Sequence, residues 1–193
     1  MWKFAGFDDE GSFLLYNKDG EVIPAAQKTE NDKQYIGNYT PKLIIGWSHT
    51  LTYKNFDLGI NLRSWIDFDV YNTINMYYGI QGQGNLNGLK DAYGKFNHIK
   101  GEKQICDYFL EDGTFLKIDA ITLGYTLPMK MYTNNLIDRI RIYGTVGNVC
   151  TITGYSGMNP EVDITGWDKG TEKFWSDFYP VVRTWTLGMQ FNF

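Results

Sequence analysis

Hydrophobic and polar residues alternate one by one at the end of the chain. Over residues 181–193 the odd positions are mainly apolar or aromatic, whereas the even positions are mainly small or polar. Because successive side chains of a β-strand point to opposite faces, this period of two predicts a strand whose faces meet different surroundings. The apolar face of this strand carries Trp185, Leu187, Met189, Phe191 and Phe193.

Four earlier segments repeat this alternation and are predicted to be strands as well. They cover residues 43–53, 56–69, 114–127 and 139–152. Lys54 and Asn55 alone separate the first two segments, which is the spacing of a β-hairpin. In the third segment Leu116, Ile118 and Ala120 have the opposite parity to the later apolar residues, so the pattern there leaves room for a β-bulge.

The connections between these five strands alternate between short and long. Residues 54–55 and 128–138 are the shorter links, and residues 72–113 and 153–180 are the longer ones. Outer-membrane β-barrels have short periplasmic turns and long external loops. We therefore predict that residues 41–193 belong to a barrel wall and residues 1–40 to an extracellular loop or hairpin region, with short strands at residues 2–7 and 13–16. Residues 69–78 are compatible with a short helix.

Composition favours strands over helices. Aromatic residues make up 17% of the chain, which holds 21 glycines but only 5 prolines. No apolar run approaches the roughly 18 to 20 residues that a membrane-spanning helix needs. A barrel strand shows lipid only every second side chain, so the mean hydropathy of −0.35 is compatible with crossing a membrane. These features predict an all-β, antiparallel, up-and-down transmembrane β-barrel segment with long extracellular loops.

A soluble β-sandwich, such as a carbohydrate-binding module, is the alternative that the same strands leave open. Its strands also alternate, and its exposed aromatic side chains also bind sugars. Such a fold has to cover the apolar stripe from Trp185 to Phe193 with a second sheet. It also gives no reason for the strongly unequal loop lengths at the two ends of the strands.

Charge and reactive residues exclude several classes of function. The net charge is −4 and the pI about 5.2, and the lysines and arginines do not cluster, so nucleic acid is not an expected partner. Neither histidine has a serine or cysteine spaced for a catalytic triad, which argues against an enzyme. The acidic residues near the last long connection fit no calcium-binding loop, so we expect neither a metal nor a cofactor.

Four charged or reactive residues carry expectations of their own. Lys117 and Arg183 have the parity of the apolar face and lie near external strand ends, where they can reach lipid headgroups. Cys106 and Cys150 permit one disulfide. Two unpaired, packed thiols are favoured, because spacing alone does not bring the two sulfurs together.

Aromatic residues beside amides and carboxylates suggest a place for sugar binding. Aromatic ring faces stack on pyranose rings, and amides and carboxylates bind the hydroxyl groups. Packing within loops, or placement at the membrane interface, is the simpler explanation for the same residues. The candidates are Trp65, Asp67, Asp69, Asn72 and Asn75 at the lumenal top of one strand, and Tyr155, Asp163 and Trp167 in the last loop.

Several sequence motifs together are specific to one family. They are IGNYTPK from Ile36, YKNFDL from Tyr53, FLEDGTFLKIDAITLGYTLP from Phe109, RIYG from Arg141, TGYSGMNPEV from Thr153 and YPVVRTWTLGMQFNF from Tyr179. From Ile36 onward the chain therefore resembles the late barrel of SusC/RagA-type TonB-dependent transporters. It departs from them at Asn148, Val149 and Cys150, where the family has Asn-Leu and an aromatic residue, and at Asn159, where the family has Asp.

This resemblance implies a function and a setting. The chain is expected to provide the last five strands of an outer-membrane barrel of about 22 strands, which five strands cannot close alone. The apolar side chains of Trp185, Leu187, Met189, Phe191 and Phe193, which we call the terminal stripe, are expected to serve as the signal that the barrel insertion machinery recognises. The resemblance further implies a SusD-like surface lipoprotein, TonB acting through an N-terminal part, and import of an oligosaccharide or a peptide without bond chemistry.

Overall fold

The computed structural model of the protein describes residues 1–82, 87–129, 137–161 and 181–193. Antiparallel β-strands make up most of the regular structure in these residues. The strands are β1 (Lys3–Phe7), β2 (Phe13–Tyr16), β3 (Val22–Pro24), β4 (Leu43–Tyr53), β5 (Phe56–Ile66), β6 (Asp69–Tyr71), β7 (Leu110–Asp112), β8 (Phe115–Pro128), β9 (Arg139–Thr153) and β10 (Thr184–Asn192).

Helical structure in the described residues is limited to short pieces. The α-helix α1 (Thr73–Tyr78) begins where the Asn72 side chain accepts a hydrogen bond from the Asn75 backbone N–H, and this N-cap explains why the helix starts there. The 3-10 helices are Ala25–Gln27, Glu30–Asp32, Lys90–Tyr93 and Asp107–Phe109. None of the helices in the described part of the chain has the length and apolar character needed to cross a membrane.

The described residues divide into two compact units. The first, which we call the loop unit, contains Met1–Pro41, Asp67–Gly113 and residues 155–161. The second, which we call the sheet unit, contains Lys42–Ile66, the described part of Thr114–Gly154, and residues 181–193.

The sheet unit contains one antiparallel sheet with the strand order β10-β9-β8-β5-β4. In the hairpin of β4 and β5, Tyr53 pairs with Phe56, so Lys54 and Asn55 form the turn. Lys54 has a φ of 54°, a left-handed conformation that a side-chain-bearing residue rarely adopts. The sheet confirms the five predicted strands, the predicted hairpin and the all-β antiparallel fold.

A β-bulge interrupts β8 at the place where the sequence changes parity. Asn61 pairs with Ala120, whereas the next residue, Leu62, pairs with Ile118. Asp119 is therefore an extra residue in β8, and the bulge that the sequence left open is confirmed.

This bulge overturns the expectation for Lys117. The residue pairs with Arg63 on the polar face of the sheet, because the extra residue reverses the parity of the part of β8 that precedes it. Its side chain is buried. Placing Lys117 on the apolar face was wrong. That prediction assumed that the alternation seen in the later part of β8 continues unchanged before the bulge.

The loop unit has a core of its own that is rich in aromatic side chains. The rings of Phe4, Phe7 and Phe13 form a cluster, in which the centroids of Phe4 and Phe13 each lie 4.9 Å from that of Phe7 and 5.9 Å from each other. Three-stranded pairing of β1, β2 and β3, and two-stranded pairing of β6 with β7, frame this core. Its buried members are Phe13, Leu15, Ala25, Tyr71, Met76, Ile80, Phe96, Ile99, Cys106 and Phe109.

Both cysteines are free thiols. Cys106 is buried in the core of the loop unit, and this burial raises the pKa of the thiol to about 11. Cys150 is exposed in β9. The expectation of a packed, unpaired thiol is thus confirmed for Cys106 and wrong for Cys150 with respect to packing.

Candidate functional site

One face of the five-stranded sheet consists of exposed apolar side chains. The strand register aligns these side chains in rows that cross all five strands. Isolated apolar residues are common on protein surfaces, but a continuous apolar face of this kind indicates contact with lipid or another apolar partner. One row contains Tyr53, Phe56, Tyr125, Ile142 and Met189, and the next contains Leu51, Leu58, Leu123, Gly144 and Leu187.

The terminal stripe forms the outer part of this apolar face. All five side chains lie in β10 or directly after it, and all are exposed. Leu187 is 89% exposed and lies beside Gly144 of the neighbouring strand. One face of β10 is thus apolar along nearly its whole length, whereas the residues between these positions, such as Thr186 and Gln190, lie on the other face.

An ion pair that bridges across a strand characterises the polar face. Asp57 in β5 accepts a hydrogen bond from Nε of Arg141 in β9, at 2.9 Å, and a second one from Nη2. Gly124 of β8 lies between them, and a Cβ at this position would collide with the Asp57 carboxylate. Arg141 also lies over the Tyr143 ring, 4.9 Å from its centroid. Gly124 therefore leaves room for the two charged side chains, and Gly188 leaves room for the Tyr143 ring, with which a Cβ at position 188 would collide.

A second charged group surrounds the bulge. Asp119 accepts a hydrogen bond from Arg63 at 3.1 Å, and Lys117 lies 3.8 Å from the same carboxylate oxygen. Two pairs further along the strands, the rings of Trp65 and Phe115 have their centroids 5.6 Å apart. The bulge thus supplies the carboxylate that balances two cations on the polar face.

A polar network in the loop unit joins α1, β7 and the residues that follow β9. The Glu111 carboxylate accepts hydrogen bonds from the Ser156 hydroxyl at 2.7 Å and from the Ser156 backbone N–H at 2.8 Å. The Asn72 amide donates to Glu111 at 2.9 Å and to the Ser156 hydroxyl at 3.2 Å. The Asn75 amide donates to the same hydroxyl at 3.1 Å. Asn72 is completely buried, so its amide is held by these partners rather than by water.

Asp69 fixes the segment that leads towards β4. Its carboxylate accepts a hydrogen bond from the Asn38 backbone N–H at 2.7 Å, and its own N–H donates to the Asn38 carbonyl. Gly37 has a φ of 75°, and a Cβ there would press against Leu110 and the Asp69 carboxylate. Only glycine suits both the conformation and the space.

The candidate sugar-binding residues therefore have different environments. Asn72 and Asn75 are buried in one network, and buried Tyr155 directly precedes Ser156 of that network. Asp69 is partly buried, Asp67 is exposed with a φ of 60°, and Trp65 is partly buried in the sheet unit. Asp163 and Trp167 lie outside the described residues.

Sequence reasoning missed the two residues at the centre of the network, Glu111 and Ser156. Each lies within a motif that resembles the family, FLEDG and TGYSG, but 45 residues separate them and no local pattern pairs them. The described residues contain no group of three or more His, Cys, Asp or Glu side chains that could hold a metal ion.

Burial affects two phenol groups of the loop unit, the buried Tyr71 and the partly buried Tyr108. Burial raises the pKa of Tyr71 and also that of Tyr108. Tyr71 donates a hydrogen bond to the sulfur of Met76, and Tyr108 packs among the aromatic rings of the core. Both side chains pack in the aromatic-rich core of the loop unit.

Comparisons with known proteins give consistent results in sequence and structure. No family model matches the chain. The chain is 24% identical to TonB-dependent receptor P3 of Formosa agariphila over 98% of its length, and 28% identical to TonB-dependent receptor SusC of Bacteroides thetaiotaomicron over 95%. It spans 20% and 18% of these relatives, respectively, or about a fifth of their length.

Solved structures share the fold of the whole chain. The RagAB peptide importer in its open-open state matches 100% of the chain with a TM-score of 0.78 at 23% identity. The closed-closed state matches 99% with a TM-score of 0.75 at 24% identity. In both cases the chain covers 22% of the matched protein.

Proposed function

We propose that the chain is a segment of a SusC/RagA-type TonB-dependent receptor and forms part of the outer-membrane wall of a transporter that imports oligosaccharides or peptides. The single observation that carries the proposal is the two-faced sheet. Its apolar face is exposed in long rows, and its opposite face carries threonines, glycines and a bridging ion pair. A barrel wall between lipid and a polar lumen has this arrangement.

In this proposal the apolar face contacts lipid and the polar face lines the lumen. The chain works with a SusD-like surface lipoprotein, and TonB acts through a part of the receptor that precedes this chain. The receptor moves its substrate without breaking bonds. Trp65, Asp67 and Asp69, with Asp163 and Trp167, are proposed to contact the substrate, whereas the buried Asn72, Asn75 and Tyr155 contribute by holding the loop unit in shape.

A pair of arginine substitutions on adjacent residues tests the wall. In a full-length receptor carrying this chain, Leu187→Arg places a charge on the lipid face, which costs about 2–4 kcal/mol near the membrane midplane. Thr186→Arg places the same charge on the lumenal face. We expect the first variant to be depleted from the outer membrane, measured by immunoblotting of membrane fractions, and the second to assemble normally. Equal assembly of the two variants would sink the proposal.

Uptake measurements address the substrate. Cells that express the receptor are offered fluorescent oligosaccharides and fluorescent peptides in separate assays, with and without an active TonB system. TonB-dependent accumulation of one class identifies the substrate class, and Trp65→Ala is expected to reduce that accumulation. If neither class accumulates in a TonB-dependent way, the transport proposal is wrong.

A further inference from the structure

Glu111 and Ser156 join two long connections that are far apart in the sequence. Glu111 lies in the connection between β5 and β8, and Ser156 lies in the connection between β9 and β10. Both oxygens of the Glu111 carboxylate accept from Ser156, one from its backbone N–H and the other from its hydroxyl. A bidentate contact of this kind fixes orientation as well as distance.

Asn72 and Asn75 add further hydrogen bonds to the contact between Glu111 and Ser156. The Asn72 side-chain oxygen accepts from the Asn75 backbone N–H, while its amide nitrogen donates to both Glu111 and Ser156. Because Asn72 is completely buried, removal of either acceptor leaves a donor without water, which costs more than a surface hydrogen bond. The buried amides of Asn72 and Asn75 are thus satisfied by Glu111, which is partly buried, and by Ser156, which is exposed. Satisfied buried donors favour one geometry of the surrounding segments.

The segments next to Ser156 and next to Asn72 are each held in place by further contacts. Tyr155, just before Ser156, is buried and packs over Gly157, where a Cβ would collide with the tyrosine ring. On the other side, Asn72 begins α1, and its backbone N–H donates to the Phe109 carbonyl at 2.9 Å. The hydrogen bonds among Glu111, Ser156 and Asn72 therefore connect two segments that are each held in place by these contacts.

We propose that Glu111 and Ser156 are positioning residues that lock these two connections into one body, and that substrate capture depends on this lock. The inference rests on the proposed transport function. Two proposed substrate contacts, Asp67 and Asp69, lie at the start of the connection that carries Glu111, and Asp69 belongs to β6, which pairs with the Glu111 strand β7. Groups that bind a substrate lose less free energy on binding when they are already held in one geometry, which the lock provides.

Hydrogen exchange tests whether the two connections behave as one body. In a full-length receptor carrying this chain, Glu111→Ala is compared with Glu102→Ala, which removes an exposed carboxylate from the same connection. We expect Glu111→Ala to accelerate amide exchange at residues 72–79 and also at residues 155–161, and Glu102→Ala to leave both segments unchanged. Faster exchange confined to the neighbourhood of Glu111 would overturn the lock.

Uptake kinetics test whether capture depends on the lock. For Glu111→Ala and for Ser156→Ala, we expect the half-saturating substrate concentration to rise about tenfold, as loss of hydrogen bonds to a charged group implies, with an unchanged maximal rate and amount of assembled receptor. The double variant is expected to be less impaired than the sum of the two single effects, because the bond between the Ser156 hydroxyl and Glu111 is lost in both single variants. Unchanged half-saturation in both single variants refutes the role in capture.

These experiments separate the lock from the proposed function. If the unmodified receptor accumulates no substrate, the transport proposal fails, and the exchange data alone then decide whether the connections are locked. If the receptor takes up substrate but Glu111→Ala does not accelerate amide exchange in both connections, the transport proposal stands and the lock is refuted.

Discussion

At the scale of single residues, Gly124 explains how an ion pair crosses a strand. Its missing side chain leaves the space in which the Asp57 carboxylate meets Arg141. We expect Gly124→Ala to displace this pair and to destabilise the receptor by up to about 1 kcal/mol, the range for partly exposed ion pairs. The measurement is the urea midpoint of receptor unfolding in lipid vesicles.

Gly46→Ala is the matched control, since a Cβ at this strand position meets no atom within 4 Å. It is expected to leave the unfolding midpoint unchanged or to raise it slightly, because alanine restricts the unfolded chain more than glycine does. Equal midpoints for the Gly124→Ala and Gly46→Ala receptors would show that the crossing ion pair does not need the glycine.

Asn148 has a positive φ, and its side chain makes a hydrogen bond to the neighbouring segment where the backbone pairing of β9 and β10 has ended. Its φ is 51°, and its amide donates to the Val182 carbonyl at 3.0 Å, just beyond the last registered pair of β9 and β10. Asn148→Leu loses the hydrogen bond and strains the backbone by about 1–2 kcal/mol. Asn148→Gly loses the hydrogen bond alone, because glycine adopts this conformation freely.

The expected order of unfolding midpoints is therefore Asn148, then the glycine variant, then the leucine variant. The same urea titration in lipid vesicles measures it. A glycine variant that is as unstable as the leucine variant would show that the hydrogen bond, and not the backbone conformation, selects asparagine here.

Single residues also show where sequence reasoning succeeds and where it fails. Strict alternation assigned the faces of Leu187 and Thr186 because every residue of β10 follows the period of two. The same reasoning misplaced Lys117, since one extra residue in β8 reverses the faces. Burial of Asn72 had no sequence signal at all, because its partner Ser156 lies 84 residues away.

At the scale of elements, the 3-10 helix Glu30–Asp32 depends on an ionised side chain. Asp32 accepts hydrogen bonds from the hydroxyl and the backbone N–H of Thr29, both at 2.7 Å, and from the backbone N–H of Lys18 at 3.0 Å. These bonds lower the pKa of the Asp32 carboxyl below its ordinary value of 3.8. A lowered pKa means that the carboxylate stabilises the folded form above the ordinary value, and that this contribution is lost as the pH falls through the folded pKa.

We therefore expect residues 29–33 to become less protected in acid. Amide exchange of the full-length receptor, corrected for intrinsic rates, is expected to accelerate at these residues as the pH falls below 3.8, the ordinary carboxyl value. In an Asp32→Ala variant, exchange there is expected to be fast both above and below this pH. Acid-induced acceleration of the same size in this variant would assign the effect to another group.

Elements differ in how well the sequence predicts them. The hairpin of β4 and β5 was predictable because two residues separate two alternating runs, and a turn of that length leaves one pairing. The loop unit was not, because its core depends on contacts such as that between the Phe4 backbone N–H and Asp107, which are 103 residues apart. Aromatic and polar residues in loops show no periodicity that indicates such pairs.

At the scale of the whole molecule, charge is divided unequally between the two units. The described residues of the loop unit contain eight lysines and fifteen acidic residues, whereas those of the sheet unit contain seven lysines and arginines and three acidic residues. The loop unit contains residues 1–40 and parts of the two long connections, which are predicted to be extracellular, so a substrate approaching from outside is expected to meet a negative field first. Such a field favours positively charged molecules and repels anionic ones.

This difference leads to a prediction for substrates of one length and opposite charge. Uptake at low substrate concentration is expected to be faster for a lysine-containing ligand than for the matching glutamate-containing ligand, and neutral oligosaccharides are expected to be insensitive to salt. Raising the ionic strength from about 10 to about 150 mM shortens the screening length from about 30 to about 8 Å, so the preference is expected to shrink. The control is a receptor in which Asp8, Asp9 and Glu10, three exposed residues of the loop unit, are changed to their amides. A preference that persists unchanged at high salt and in this variant would mean that short-range contacts, rather than the field of the loop unit, discriminate between the ligands.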